Sequence, residues 1–337
     1  MNNNTGFIVI IAYPEVVVRT ANGELVSRIW PLLGIGGQNN VMAGHCAMLL
    51  VSKKTNKIKY FDFGRYITSD KYGRVRSEET DNEVYIPIVA KHNSTELLNL
   101  NEVLLFLEQH PEKTHGKGRI VIGVNSEIDY DKAISYIFDL QNEGEVPYRA
   151  FSKNGSNCAR FVADTIIAST TNKKIARKLQ RTYALTPSPI SNVLKGSSHG
   201  LPKVQVTNLG ITPYTNNSVF KEYKKCFLTK VSQELNFVGS ILPDTNKYIS
   251  ENGQWLGGVG SGAWFELKEK CRESKLYNIQ RRSQNGEIDS AGDFITFEKD
   301  FSFQKEFEFQ YGSNSKKCIL KQGDKVYTFV RKTDCLI

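Results

Sequence analysis

No apolar run among the 337 residues is long enough to cross a bilayer, so a helical membrane span is not expected. The opening residues, Met1 to Gly6, lack a basic stretch, and the apolar run at 7–12 is cut short by Pro14. That suits a first strand better than a signal peptide and makes the cytoplasm the default location. The six cysteines, Cys46, Cys158, Cys226, Cys271, Cys318 and Cys335, form no C-x-x-C pair or other zinc spacing. An all-protein metal site is therefore not expected, and no cofactor is implied. Scattered over so long a chain, the cysteines suit reduced thiols rather than a disulfide scaffold, with a bridge inside the C-terminal part left open. Histidine is scarce, at five residues. Acids are nearly missing from residues 149–195, where nine Lys and Arg stand against the single acid Asp164, most of the formal net charge of +9. The segment reads as a solvated helix face or as a place where an anionic polymer binds. Aromatic residues are not interleaved with these charges, which weakens a nucleic-acid reading.

What remains is an ordinary soluble composition, 40% hydrophobic and 23% charged, with no long disordered region expected. The length suits about two domains. Texture along the chain divides it into a domain at 1–200, a connecting region at 201–255 and an all-β domain at 256–337.

In the first part, strands are expected at 7–13 and 25–30, followed by a Gly-rich connection at 33–38 that fits neither a dinucleotide nor a P-loop pattern. Gly44-His45-Cys46 runs into an apolar strand, the polar turn Lys53-Lys54-Thr55-Asn56 follows, and residues 57–66 return as the second arm of a hairpin. If the turn is centred between Lys54 and Thr55, Ala47 lies opposite Asp62, and His45 and Asp62 are diagonal neighbours on one face. A slip of one residue would turn Asp62 away; Asp62 could equally be a strand-end carboxylate that pairs with Arg65. A strand at 83–90, a helix at 99–110, a strand at 119–124 and a helix opened by Asp129 or Asp131 come next. After the basic helix at 172–181, the Thr186-Pro187-Ser188-Pro189 segment reads as a turn that closes the domain. Residues 201–250 have no firm assignment beyond an amphipathic stretch near 221–234. From 260 onward, short alternating runs separated by turns indicate a small antiparallel barrel or sandwich, with Trp255 and Trp264 as core anchors.

The chemistry centres on Asn154-Gly155-Ser156-Asn157-Cys158. Capping residues lead into a helical apolar pattern, which makes Asn157 the N-cap and seats Cys158 in the first turn. A thiol there lies at the positive end of the helix dipole, beside unpaired N–H groups, and this favours the nucleophilic thiolate. The plainer reading is a small buried hydrophobe at a helix start. A nucleophilic cysteine needs a base, and the base needs an orienting group. Of the five histidines, His45 heads an apolar strand; His199, in a Ser-Gly linker, is the alternative. Cys46 points to the opposite face from His45 and is discounted.

These residues, Gly44-His45 on one strand, Asp62 on the next and Asn157-Cys158-Ala159-Arg160-Phe161 on a later helix, resemble the permuted branch of the NlpC-type papain-like cysteine hydrolases. That branch includes the lecithin:retinol acyltransferase-like and PPPDE enzymes. The resemblance covers about residues 40–170. It implies an α+β fold, a permuted papain-like domain with an antiparallel sheet and a Cys-bearing helix. In it Cys158 would be the nucleophile, His45 the base and Asp62 the orienting residue, with Asn157 and the Cys158 N–H near an oxyanion. The acyltransferases commonly carry a second His where this chain has Asp62, so a peptidase or amidase acting on a peptide or other amide-containing substrate, such as the cross-links of a bacterial cell wall, is the implied activity. The competing expectation is a non-catalytic binding or scaffold protein in which the β domain recognises a partner.

Overall fold

The computed structural model describes residues 4–19, 40–114, 118–152, 154–227, 242–243 and 249–332. The strand expected at 25–30, the connection at 33–38, His115 and Cys335 lie outside the described residues.

The strand β1 (Gly6–Tyr13) lies at the heart of the larger sheet, and all eight of its residues are buried. It pairs antiparallel with β4 (His45–Ser52) on one side and β7 (Ile120–Ile128) on the other; short strands β2 (Val18–Arg19) and β3 (Asn40–Val41) pair with each other apart from this sheet. Beyond β4 come β5 (Ile58–Gly64), β6 (Tyr72–Arg76) and β8 (Val146–Pro147). Both faces of the sheet are covered, which is why β1, residues 46–51 of β4 and residues 120–124 of β7 read as unbroken apolar runs. One face packs Ile8, Ile10, Met48 and Leu50 against the helices α3 (Tyr130–Glu143), α4 (Cys158–Ser169) and α6 (Pro189–Gly196). The other packs Phe7, Val9, Leu49 and Val51 against α1 (Leu100–Gln109) and the chain around 84–97. The short helix α2 (Pro111–Thr114) continues α1, and α5 (Lys173–Gln180) packs against both α4 and α6.

The α+β class, with an antiparallel sheet and a Cys-headed helix, is as expected, and so is an antiparallel β structure at the C-terminus. Several local expectations are corrected. Residues 83–90 form no strand: Asn82–Val84 is a 3-10 turn, and a single bridge joins Val89 to Lys57. The alternation is present, with Val84, Ile86 and Ala90 buried, but Pro87 has no N–H to give a ladder. The Thr186–Pro189 segment is not a closing turn. Ser188 caps α6 through a capping box with Ser191, with Pro189 in the first turn. The region without an assignment adds β9 (Val204–Thr207) and β10 (Gly210–Pro213) to the edge of the main sheet beside β7, and α7 (Val219–Phe227) follows.

The C-terminal sheet runs β11 (Gln254–Leu256), β12 (Ala263–Cys271), β13 (Leu276–Arg282), β14 (Ile288–Thr296), β17 (Lys325–Arg331), β16 (Lys317–Gln322), β15 (Glu308–Gln310). The Gln254 side chain brings its two edges together: it donates to the Phe307 carbonyl at 2.8 Å and accepts from the Phe309 N–H at 2.7 Å. The result is a nearly closed barrel filled by Phe265, Tyr277, Phe294, Phe309 and Phe329. Trp255 and Trp264 are not in that core. They meet edge to face across β11 and β12, centroids 5.5 Å apart, and stay partly exposed.

Candidate active site

Three elements converge at one end of the main sheet. Gly44 has φ +77°, and a Cβ there would lie 2.8 Å from the Tyr13 carbonyl, so only glycine can turn the chain into β4 and set His45 at its first position. The hairpin register is that of a turn centred between Lys54 and Thr55, with Ala47 opposite Asp62. His45 Nε2 lies 3.2 Å from Asp62 Oδ2. On α4, the Asn157 side chain accepts from the Arg160 N–H at 2.9 Å, as an N-cap should, and Cys158 opens the first turn. The Cys158 side chain is near enough to the His45 ring to raise its affinity for a proton. All three side chains are buried, with His45 and Cys158 each 7% exposed and Asp62 at 0%.

Asp62 does not pair with Arg65, which instead donates to the Arg19 carbonyl. It is held by residues that sequence reasoning missed. Arg76 from β6 donates to Oδ1 at 3.1 Å and Oδ2 at 2.7 Å, and the Tyr60 and Tyr66 hydroxyls donate to Oδ2 at 2.8 and 3.0 Å. Tyr60 could have been found, since it shares a face with Asp62 two residues on. Arg76 could not, because nothing local marks an arginine that is 1% exposed.

Electrostatics follow from this packing. Burial by itself would raise the Asp62 carboxyl, but the Arg76 charge and the bond to His45 hold it far below the usual carboxylate range. Burial works against a charged imidazole, yet the hydrogen bonds to Asp62 and Cys158, with the charges of both, outweigh it and push His45 up to about 9. Burial and the Asp62 charge raise the Tyr60 and Tyr66 phenols, which keeps them as donors.

A pH dependence of stability is expected from these shifts. His45, raised from 6.5 to about 9, contributes stability that is whole below pH 6.5 and lost as pH rises toward 9, on the order of 3 kcal/mol if fully expressed. Asp62, shifted downward, contributes above pH 3.8 and loses that contribution under acid. Urea unfolding should therefore show stability falling between pH 6.5 and 8, and His45→Gln should flatten that limb. An unchanged slope in the variant refutes the assignment.

The other described histidines sit elsewhere. His92 bonds Asn56 and the Asn93 carbonyl, and His110 bonds the Phe106 carbonyl. His199, the alternative base, is exposed beyond α6. Cys46 lies in the core on the α4 side, 3.7 Å from Asn192 Nδ2, which also donates to the Ala159 carbonyl. Beside the site is a narrow cleft lined by Pro14, Met42, Ala43, Pro189, Ile190 and Tyr223, with about 10 Å³ of room, enough for one water. Burial, then the Cys158 charge, push the phenol of Tyr223, on α7, up. The basic face at α5 is exposed at Lys173, Lys174, Arg177 and Lys178, while Ile175 and Leu179 are buried. Among the described residues there is no group of three or more His, Cys, Asp and Glu able to hold a metal ion, and no helix long and apolar enough to cross a membrane.

Residues 8–175 match the family model of the type VI secretion system effector TseH-like proteins, and residues 253–332 match the model of the DUF6695 C-terminal domain. No curated protein matches the chain. Among solved structures, the crystal structure of the type VI secretion system effector TseH is similar at 17% identity. The match covers 63% of this chain and 99% of that one, with a TM-score of 0.40.

Proposed function

We propose that this chain is a cysteine hydrolase, a peptidase or amidase that works through an acyl-enzyme on Cys158. The observation that carries the reading is one imidazole, His45, hydrogen-bonded to a buried carboxylate and within electrostatic reach of a thiol at a helix N-terminus. Its chain order, imidazole strand before thiol helix, is that of the permuted papain-like hydrolases that the sequence resembles.

With its midpoint raised to about 9, His45 already holds the proton given up by the Cys158 thiol at neutral pH, and the sulfur attacks the carbonyl carbon of an amide as the electron pair moves onto the oxygen. That oxyanion lies where the first-turn N–H groups of α4, beginning with Cys158, can donate to it; Asn157 caps the same turn. Collapse breaks the C–N bond, and the imidazolium gives its proton to the leaving amine. Water, deprotonated by His45, then cleaves the thioester and returns the thiol and a carboxylic acid. Asp62 holds the ring throughout and does not itself exchange a proton.

The type VI secretion match supports delivery of the chain to another cell rather than residence in the cytoplasm. The exposed cations of α5 support an anionic partner, such as a polymer bound near the site.

Labelling with a thiol-directed acyl probe tests the reaction. Cys271 is an exposed free thiol, so both proteins should carry Cys271→Ser to remove its background. The parent should be labelled and Cys158→Ala should not. Equal labelling of the two sinks the hydrolase reading.

A further inference from the structure

The residues that grip Asp62 are themselves gripped by the C-terminal barrel, at two places. The first is the stretch that follows β5. Tyr66, whose hydroxyl bonds Asp62 and lies 3.4 Å from His45 Nε2, forms a bridge with Ser261, while the Ile67 N–H donates to the Ser261 carbonyl and the Gly260 N–H to the Arg65 carbonyl. Ile67 is buried in the barrel core with Leu256 and Phe265. Its φ is +51°, a conformation that costs a β-branched residue energy and persists only where surroundings impose it. Here the imposing surroundings belong to the barrel.

The second place is Arg281 on β13, 2% exposed. One nitrogen of its guanidinium reaches Asp81 at 3.0 Å and the Thr80 carbonyl at 3.2 Å, and another reaches Glu83 at 2.6 Å. Asp81 takes a two-pronged pair from Arg74 at 2.6 and 2.7 Å, and Arg74 also donates to the Tyr66 carbonyl at 2.8 Å. Glu83 lies 3.9 Å from Arg76 Nη1. Both carboxylates thus sit between Arg281 and the two arginines of β6.

We infer that the barrel is a working part of the catalytic unit, and that Arg281 and Ile67 are positioning residues that hold Arg76 and Tyr66 on the Asp62–His45 pair. The inference rests on the proposed hydrolase site and gives the C-terminal domain a role that needs no ligand of its own. It also means that the catalytic unit does not end with the main sheet.

Arg281→Met and Ile67→Gly, made in the full chain, test it. Glycine accepts the positive φ without strain, so Ile67→Gly removes the anchor while easing the backbone, and it decides the matter if Arg281→Met does not fold. Two quantities are read beside far-UV circular dichroism: the rate at which iodoacetamide alkylates Cys158, and the midpoint of the His45 imidazole followed by NMR. The groups facing that ring are Asp62, Tyr66, Cys158 and the stacked Tyr13, with Arg76 behind Asp62. Both variants should alkylate about ten- to a hundredfold more slowly and shift the midpoint away from about 9, with the fold retained. Parent rate and parent midpoint in folded variants would overturn the inference. If instead Cys158 of the parent reacts no faster than the buried Cys46 or Cys318, the hydrolase reading fails, and the His45 midpoint still reports on the barrel.

Discussion

His45→Ala is expected to slow acylation of Cys158 at neutral pH by a factor on the order of 10³ while leaving the protein folded. The fold should survive because Asp62 keeps Arg76, Tyr60 and Tyr66 when the imidazole is gone, so no buried charge is stranded. The rate should fall because, among the described residues, the groups about the ring and the thiol are phenols: burial raises those of Tyr66, Tyr13 and Tyr223, so none is a base at neutral pH. The variant should also lose the parent's pH dependence and react faster as hydroxide rises, since the proton must then leave to solvent. Labelling rates from pH 5 to 9, with melting curves for both proteins, check this. A variant as fast as the parent at pH 7 would mean that the imidazole is a packing residue and the site is not a catalytic one.

Much of this site could be read from the residues because it is built from local signals. Asn157 before Cys158 is a capping pattern, Gly44 before His45 is a turn into a strand, and the four-residue turn Lys53 to Asn56 fixes which residue faces Asp62. Each depends on neighbours within a few positions, and each leaves a mark in composition or spacing. What could not be read depends on long-range pairing. Arg76 reaches Asp62 only because β6 lies beside β5, and Arg281 reaches Glu83 across 198 positions. A buried arginine looks in sequence like a surface one until its carboxylate is known. The same division holds for the fold. The alternating runs after residue 260 show their strands, but the order that wraps β15 back toward β11 through Gln254 is set by a side chain bonding a distant backbone. The α6 cap is a local signal too, Ser188 with Ser191 three positions on, but the prolines on either side of Ser188 are equally turn formers.

Arg76→Met should be among the most damaging single changes, costing about 3–5 kcal/mol of unfolding free energy. Arg76 is 1% exposed and Asp62 is at 0%. Removing the guanidinium deletes the two charge-assisted bonds at 2.7 and 3.1 Å and leaves a carboxylate sealed from water. The imidazole and two phenols still donate to it, but among these only a protonated His45 carries charge. The carboxylate should respond by moving upward from its depressed value, so the loss should be greatest at neutral pH and shrink as the medium turns acid and Asp62 protonates. The double variant Asp62→Asn, Arg76→Met separates this from simple loss of packing. It removes the stranded charge while keeping similar volume, and should recover most of the single variant's deficit. It should not recover acylation, because the amide cannot stabilise the imidazolium as the carboxylate does. Urea unfolding of the parent, the single and the double variant, with probe labelling of each, makes the comparison. If the double variant is as unstable as Arg76→Met, the guanidinium acts through packing, and the charge pair is not what holds the orienting residue in place.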